Sequence, residues 1–223
     1  MNERLRMLVT GFGPFPGAPF NPTEPLVARL LRLRRPALSD VELAGHIFAV
    51  TYRDVDRDLP ELLASRRPHA LLMFGLASRT PHVRIETRAR NAVTTLWPDA
   101  GRVKPRTGSI AGGDDAMMFG PHTDRLLRAA LATGIDARLS RNAGSYLCNY
   151  LSWRAIETSR REGGPRLAAF VHVPPFPRAA AQQRDAAFAI AFEDMVDAGE
   201  AMLMEMVKLT RQALVQGARP TGH

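Results

Sequence analysis

Short apolar runs alternate along this chain with longer stretches in which apolar residues recur every three to four positions, the pattern of strands interleaved with amphipathic helices. Met7 to Thr10 reads as a strand that opens into a Gly-, Pro- and Phe-rich loop, Gly11 to Asn21, and Pro22 to Leu33 follows as a helix. Val41 to Val50 predicts a second strand. Asp54 to Ala64 predicts a second helix, with Pro60 expected in its first turn or at a kink. Ala70 to Phe74 is a nearly continuous apolar run, as expected of a strand covered by helices on both faces.

The centre is less regular. Val83 to Ala89 suits a strand, whereas Asn91 to Gly120 is broken by Pro98, Gly101, Pro105, Gly108, Gly112 and Gly113 and reads mainly as loop with a short strand. Pro121 to Thr133 (helix), Ala137 to Ser140 (strand), Leu147 to Arg161 (helix) and Leu167 to Val173 (strand) then resume the alternation. Ala179 to Val215 is helical in composition, and Phe188, Phe192, Met195, Met202, Met204, Met206 and Val207 form a core stripe. Residues 217–223 are expected to fray. With no internal repeat and no domain linker, the pattern predicts one α/β domain over 1–223. It is a three-layer α/β/α sandwich with a mostly parallel central sheet and room for antiparallel edge elements.

Composition narrows the setting. The 223 residues, 45% hydrophobic, suffice for one core without metal or disulfide staples. No apolar stretch approaches the roughly 20 residues that cross a bilayer, and the first ten lack a signal peptide's hydrophobic region. A cytoplasmic protein with no membrane association is the expectation. The formal charge of +8 is carried almost wholly by arginine, since lysine occurs only at 104 and 208. Dispersed arginines disfavour a nucleic-acid partner, and the densest early cluster, Arg29, Arg32, Arg34 and Arg35, suits the end of a helix, where cations complement the dipole.

Candidate chemistry centres on the single cysteine, Cys148, in Gly144-Ser145-Tyr146-Leu147-Cys148-Asn149-Tyr150. A lone thiol is ordinarily a small buried hydrophobe. At a helix start it instead meets free backbone N–H donors and the positive end of the dipole, which favour the thiolate. Thiol catalysis also needs a base and a group to orient it. His172, closing Phe170-Val171-His172-Val173, is the best base among histidines that include His46, His69, His82, His122 and His223. Glu86, in Arg84-Ile85-Glu86-Thr87-Arg88-Ala89-Arg90-Asn91, is the candidate orienting carboxylate, with Arg88 and Arg90 as competing partners. Gly11, Gly13 and Gly17 lack the lysine and hydroxyl of a phosphate loop, so a tight turn is the better reading.

Four segments, in this order, resemble the pyroglutamyl peptidase type I family of cysteine peptidases. They are Thr10-Gly11-Phe12-Gly13-Pro14-Phe15 with Gly17 and Asn21-Pro22; Glu86-Thr87-Arg88-Ala89-Arg90-Asn91; Gly144-Ser145-Tyr146-Leu147-Cys148-Asn149; and Phe170-Val171-His172-Val173-Pro174. The resemblance implies Cys148 as nucleophile, His172 as base and Glu86 as third catalytic residue. It also implies a single α/β/α sandwich, no metal or organic cofactor, a homodimer or homotetramer, and removal of an N-terminal pyroglutamyl residue from peptides through an acyl-enzyme. Phe12 and Phe15 match the family's aromatic positions and would flank the lactam ring; read alone, they serve equally as loop anchors. Asn21 is a third substrate-binding candidate, although a residue before Pro22 is better suited to capping or bracing. Leu76 stands where some members carry glutamine, and Pro16 departs from the family's opening loop. Two other readings stay open: a non-catalytic binder of RNA or an acidic protein, in which the trio is scattered, and a cysteine amidohydrolase of altered specificity.

Overall fold

The computed structural model describes residues 4–175 and 190–217. Strand β1 (Leu5–Phe12) leads through the opening loop to helix α1 (Thr23–Leu31), then β2 (Val41–Phe48), α2 (Tyr52–Arg66) and β3 (Ala70–Leu76). After β4 (Val83–Glu86), β5 (Arg88–Arg90) and β6 (Ala116–Met118) come α3 (His122–Leu131), β7 (Ala137–Ser140), α4 (Leu147–Ser159), β8 (Leu167–Val173) and α5 (Phe192–Gly217). The main sheet has the order β2-β1-β3-β8-β4-β7. Its first four strands are mutually parallel, β4 runs antiparallel to β8, and β7 lies parallel to β4.

Alternation along each strand explains the layers. Met7 and Val9 of β1, Leu72 and Phe74 of β3, and Ala169 and Val171 of β8 bury against α1, α3 and α5. Their neighbours Leu8, Leu71, Met73, Ala168 and Phe170 face the other way, onto α2 and α4. A sheet covered on both faces needs apolar residues at every position, which is why these strands read as unbroken runs. The second face carries the site. In β8, His172 shares a side with Phe170 and so looks toward α4.

Three sequence expectations change. Val83 to Ala89 is not one strand: Thr87 breaks it, its N–H and hydroxyl both donating to Ser140 O at 2.7 and 2.9 Å, and β5 leaves to pair with β6 in a separate two-stranded sheet. Pro60 falls in the middle of α2 because the helix begins earlier, at Tyr52, where Thr51 Oγ1 accepts from Asp54 N; the ring lies on the exposed face. The arginine cluster is tied down in part, with Arg29 on Glu193 and Arg35 on Glu200, joining the α1 region to α5. In the expected core stripe, Met195, Met202, Met206 and Val207 are buried, and Phe192 and Met204 pack beside them. Residues 179–189 of the expected final helix, Phe188 included, lie outside the described residues, as does the expected frayed tail beyond Gly217. No helix among the described residues is long and apolar enough to cross a membrane.

Candidate active site

Cys148 is the second residue of α4. Gly144 turns the chain into that helix with φ +85°, a left-handed conformation that a side chain would strain, and its N–H donates to Asn142 Oδ1 at 3.1 Å. The next residues hold the helix in place. Asn149 accepts from Arg90 N at 2.9 Å through Oδ1 and donates from Nδ2 to Arg90 O and Ala92 O, both at 2.8 Å. Tyr150 donates its hydroxyl to the Asp56 carboxylate, and Arg154 stacks over the Tyr150 ring. The polar neighbours of Cys148 therefore fix the position of α4 against β5 and α2. Opposite the thiol, β3 passes so closely that a Cβ on Gly75 would stand 2.8 Å from Cys148 Sγ and 2.7 Å from Phe170 Cζ.

The reversal of β4 brings in the other two candidates. Its register sets Arg84 opposite His172 and Glu86 opposite Phe170, so Arg84, Glu86, His172 and Phe170 share one face. His172 Nδ1 lies 2.7 Å from Glu86 Oε1, and both side chains are buried. A carboxylate accepts only, which fixes Nδ1 as the protonated nitrogen and leaves Nε2 as the basic one. Neither expected competitor reaches Glu86: Arg88 donates Nε to Arg141 O and Arg90 donates Nη2 to Gly144 O. Arg84 does instead, its Nη2 standing 3.1 Å from Glu86 Oε1 and 3.1 Å from His172 Nδ1. Position 84 was legible as the same strand face as Glu86, two residues away, but not as a partner.

Charges inside this corner set the resting protonation state. Burial pushes the Cys148 thiol up to about 12; the negative Glu86 adds to the rise, and Arg84 and the residue's own backbone N–H oppose it. Burial also pushes His172 below its ordinary value, against the pull of Glu86 and with the help of Arg84. For Glu86, burial alone would raise the carboxyl, but the hydrogen bond and charge of His172, the Ser140 hydroxyl and Arg84 together hold it below the usual carboxylate range. The thiolate expected from the helix start is overridden by burial and by Glu86. At neutral pH the site holds a thiol, a neutral imidazole and an ionised carboxylate, an arrangement that activates sulfur by proton transfer to His172.

Cys148 and His172 line a cavity of about 160 Å³ together with Phe12, Phe15, Asn21, Val50, Leu76, Ala143, Tyr146 and Leu147. That is well below the roughly 300–1,000 Å³ typical of drug-sized ligand sites, so it suits one small ring. Phe12 is buried and also anchors the loop to the core against Phe48, while Phe15 is partly open. The turn at Phe15-Pro16-Gly17-Ala18 is closed by two backbone bonds between Phe15 and Ala18, with Pro16 in the position that a fixed φ favours. Asn21 reaches the cavity wall while bracing this loop: Oδ1 accepts from Thr23 N and Thr23 Oγ1, and Nδ2 donates to Gly13 O. The long loop after β5 braces the segment that enters α4. Thr94 N donates to Ser145 O, and the Tyr146 hydroxyl donates to Pro98 O at 3.0 Å.

Larger hollows lie elsewhere, between α1 and β2 and beside Gly134, away from the thiol. Among the described residues no group of three or more His, Cys, Asp or Glu side chains is placed to hold a metal ion. Against this geometry, the family model of pyroglutamyl peptidase matches residues 5–208. The chain belongs to the pyroglutamyl peptidase family. Pyrrolidone-carboxylate peptidase of Pyrococcus furiosus is 30% identical over 174 residues, spanning 78% of this chain and 82% of the relative. That of Halalkalibacterium halodurans is 30% identical over 178 residues, 79% and 87% of the two chains. Among solved structures, pyrrolidone carboxyl peptidase of Fervidobacterium islandicum superposes with a TM-score of 0.82 at 27% identity, covering 92% of this chain and 99% of that one.

Within the pyroglutamyl peptidase fold, the six residues singled out from sequence fall into one place. Cys148, His172, Phe12, Phe15 and Asn21 line the cavity, and Glu86 stands directly behind His172. The scattering expected of a non-catalytic binder does not occur. Sequence reasoning missed Arg84 and the bracing by Asn149.

Proposed function

We propose that this chain removes an N-terminal pyroglutamyl residue from peptides by thiol catalysis, with Cys148 as nucleophile, His172 as acid and base, and Glu86 as the group that orients His172. The observation that carries this reading is the small apolar cavity with Cys148 and His172 in its wall and Glu86 bonded to the far nitrogen of the imidazole. Cys148 Sγ attacks the pyroglutamyl carbonyl as its proton passes to His172 Nε2; the carbon–sulfur bond forms and the carbonyl electron pair moves to oxygen. First-turn N–H groups of α4, which have no intrahelical acceptor, stabilise that oxyanion. On collapse the carbon–nitrogen bond breaks, and His172 protonates the departing amine. Water, deprotonated by His172, then releases pyroglutamate and restores the thiol.

The cavity chemistry favours this substrate over its neighbours. Phe12, Phe15, Val50 and Leu76 offer apolar contact to a five-membered ring, and the remaining N–H of Asn21 suits a lactam carbonyl. A prolyl residue has a ring of the same size but no lactam carbonyl and a charged amine, which pays a desolvation penalty in an apolar slot. The test is hydrolysis of a pyroglutamyl amide and the corresponding prolyl amide by wild type and C148A, without added metal. Wild type should cleave the first and spare the second, and C148A should lose at least about 10⁴-fold in turnover. Full turnover in C148A would refute the nucleophile; Cys148-dependent cleavage of other amides alone would transfer the site to a different amidohydrolase specificity.

A further inference from the structure

The Arg84 guanidinium sits against the hydrogen bond that joins the candidate base to its carboxylate. Its Nη2 is 3.1 Å from Glu86 Oε1, 3.1 Å from His172 Nδ1 and 3.4 Å from Asn142 O, while its Nε is buried without a hydrogen bond. A guanidinium is always charged and only donates. It therefore bonds to Glu86 and cannot accept the proton on His172 Nδ1, so two donors converge on the same oxygen side by side, 3.1 Å from each other. We propose that Arg84 is a positioning residue that shares the Glu86 carboxylate with His172 and thereby sets the pH at which the imidazole can take up the Cys148 proton.

The consequences follow from charge. With Glu86 alone behind it, an imidazolium at His172 would sit in a strong carboxylate pair, hold its proton firmly and give it up slowly to the leaving amine. Arg84 neutralises part of that pull and adds a like charge 3.1 Å from Nδ1. It thus keeps His172 neutral at lower pH and makes the imidazolium, once formed, a better acid. The same cation favours the negative sulfur that develops during attack: Arg84 opposes the rise that burial and Glu86 impose on the Cys148 thiol, and adds to the lowering of His172 that burial begins. Other groups leave this assignment to Arg84. From α4 and the residue before it the site sees Cys148 and the Tyr146 phenol, which burial keeps protonated; β1 and β3 present Phe12, Gly75 and Leu76; β7 presents the Ser140 hydroxyl behind Glu86. His82, just before β4, is held below its ordinary value by burial first and then by Arg138 and Arg84; Arg138, opposite Arg84 on β7, is paired with Asp136, and Arg88 and Arg90 are turned to backbone carbonyls.

The inference rests on the proposed hydrolase chemistry, so its test has one arm that needs turnover and one that does not. In the first, kcat/KM for a pyroglutamyl amide is followed across pH in wild type, R84M and R84K. R84M should move the acid limb upward by about one pH unit, and R84K, which keeps a cation, should restore it. A fall in rate at every pH with the limb unmoved would make Arg84 merely structural and overturn the proposal. In the second arm, the His172 imidazole is titrated by ¹⁵N NMR in the same proteins. An upward shift in R84M sustains the role of Arg84 even in a protein that cleaves no pyroglutamyl amide, whereas an unshifted titration refutes it whatever the activity. Should R84M fail to fold by circular dichroism, R84Q carries the same expected shift.

Discussion

The two sides of the main sheet do different work. On one side, β2, β1, β3 and β8 are parallel, and β1, β3 and β8 are buried on both faces, their alternating residues filling two apolar layers. On the other, β4 and β7 are four residues each, run the opposite way, and carry Arg84 and Glu86 into the interior. The parallel side supplies His172, Gly75 and the wall of the slot; the reversed side supplies every charge that acts on His172 from the sheet. A carboxylate at 0% side-chain exposure is tolerated here because His172, itself 4% exposed, and Arg84 both donate to it, so this seam trades packing strength for chemistry. Hydrophobic burial makes one side robust, and a few polar contacts make the other reactive.

E86Q is the sharpest way to separate the two sides. Gln keeps the shape but removes the charge that holds Nδ1 and stabilises the imidazolium, so kcat should fall by about 10²–10⁴-fold. The fold should survive, because the parallel core is untouched. Circular dichroism alongside steady-state kinetics checks both halves of that expectation. A variant that keeps wild-type turnover would reduce Glu86 to a structural partner of Arg84.

G75A attacks the parallel side where it meets the sulfur. The new methyl would press on Cys148 Sγ and on the fully buried Phe170 ring, so either the thiol or the ring must shift. A displacement near 1 Å at a reacting atom costs about 10²-fold in rate, and overpacking costs about 1–3 kcal/mol in stability. G13A is the control, since a methyl there meets nothing nearer than Ile47 Cγ2 at 3.7 Å. Equal effects from the two alanines, measured by kcat and urea unfolding, would show that the approach of β3 to the thiol is unimportant.

What could be read in the sequence follows the same division. The buried strands were visible because a strand covered on both faces must be apolar throughout, and α3 and α4 appeared within two residues of their ends. Cys148, His172, Glu86, Phe12, Phe15 and Asn21 were visible as motif residues. Strand direction leaves no mark in a run of four residues, so the break at Thr87 and the antiparallel register of β4 were hidden, and with them the placement of Arg84 against His172. The proton state of Cys148 was misjudged for a related reason. A helix start is local and legible, whereas burial and the field of Glu86 come from segments distant in the chain and enter only through the fold.

The smallest expected effect concerns acid stability and compares the histidine of the site with a buried histidine outside it. His172 at the seam and His122 on α3, whose Nε2 donates to Ala168 O at 2.8 Å, are both buried, and burial holds both below the ordinary histidine value. The sign is fixed by linkage. Below about pH 6.5 the unfolded chain binds a proton at each ring and the folded chain does not, so this stability is complete above that pH and declines as pH falls toward the folded values. Each ring contributes at most about 1.4 kcal/mol per pH unit over that window. The thermal midpoint should therefore drop between pH 7 and pH 5, and H122N should flatten the decline while leaving the acid limb of kcat/KM in place. Glu86, held below its ordinary value, adds a second decline only below about pH 4.3, which E86Q should remove. If H122N moved the catalytic limb as well, the site would not be electrostatically separate from α3, because His122 contacts β8 at Ala168, four residues from His172.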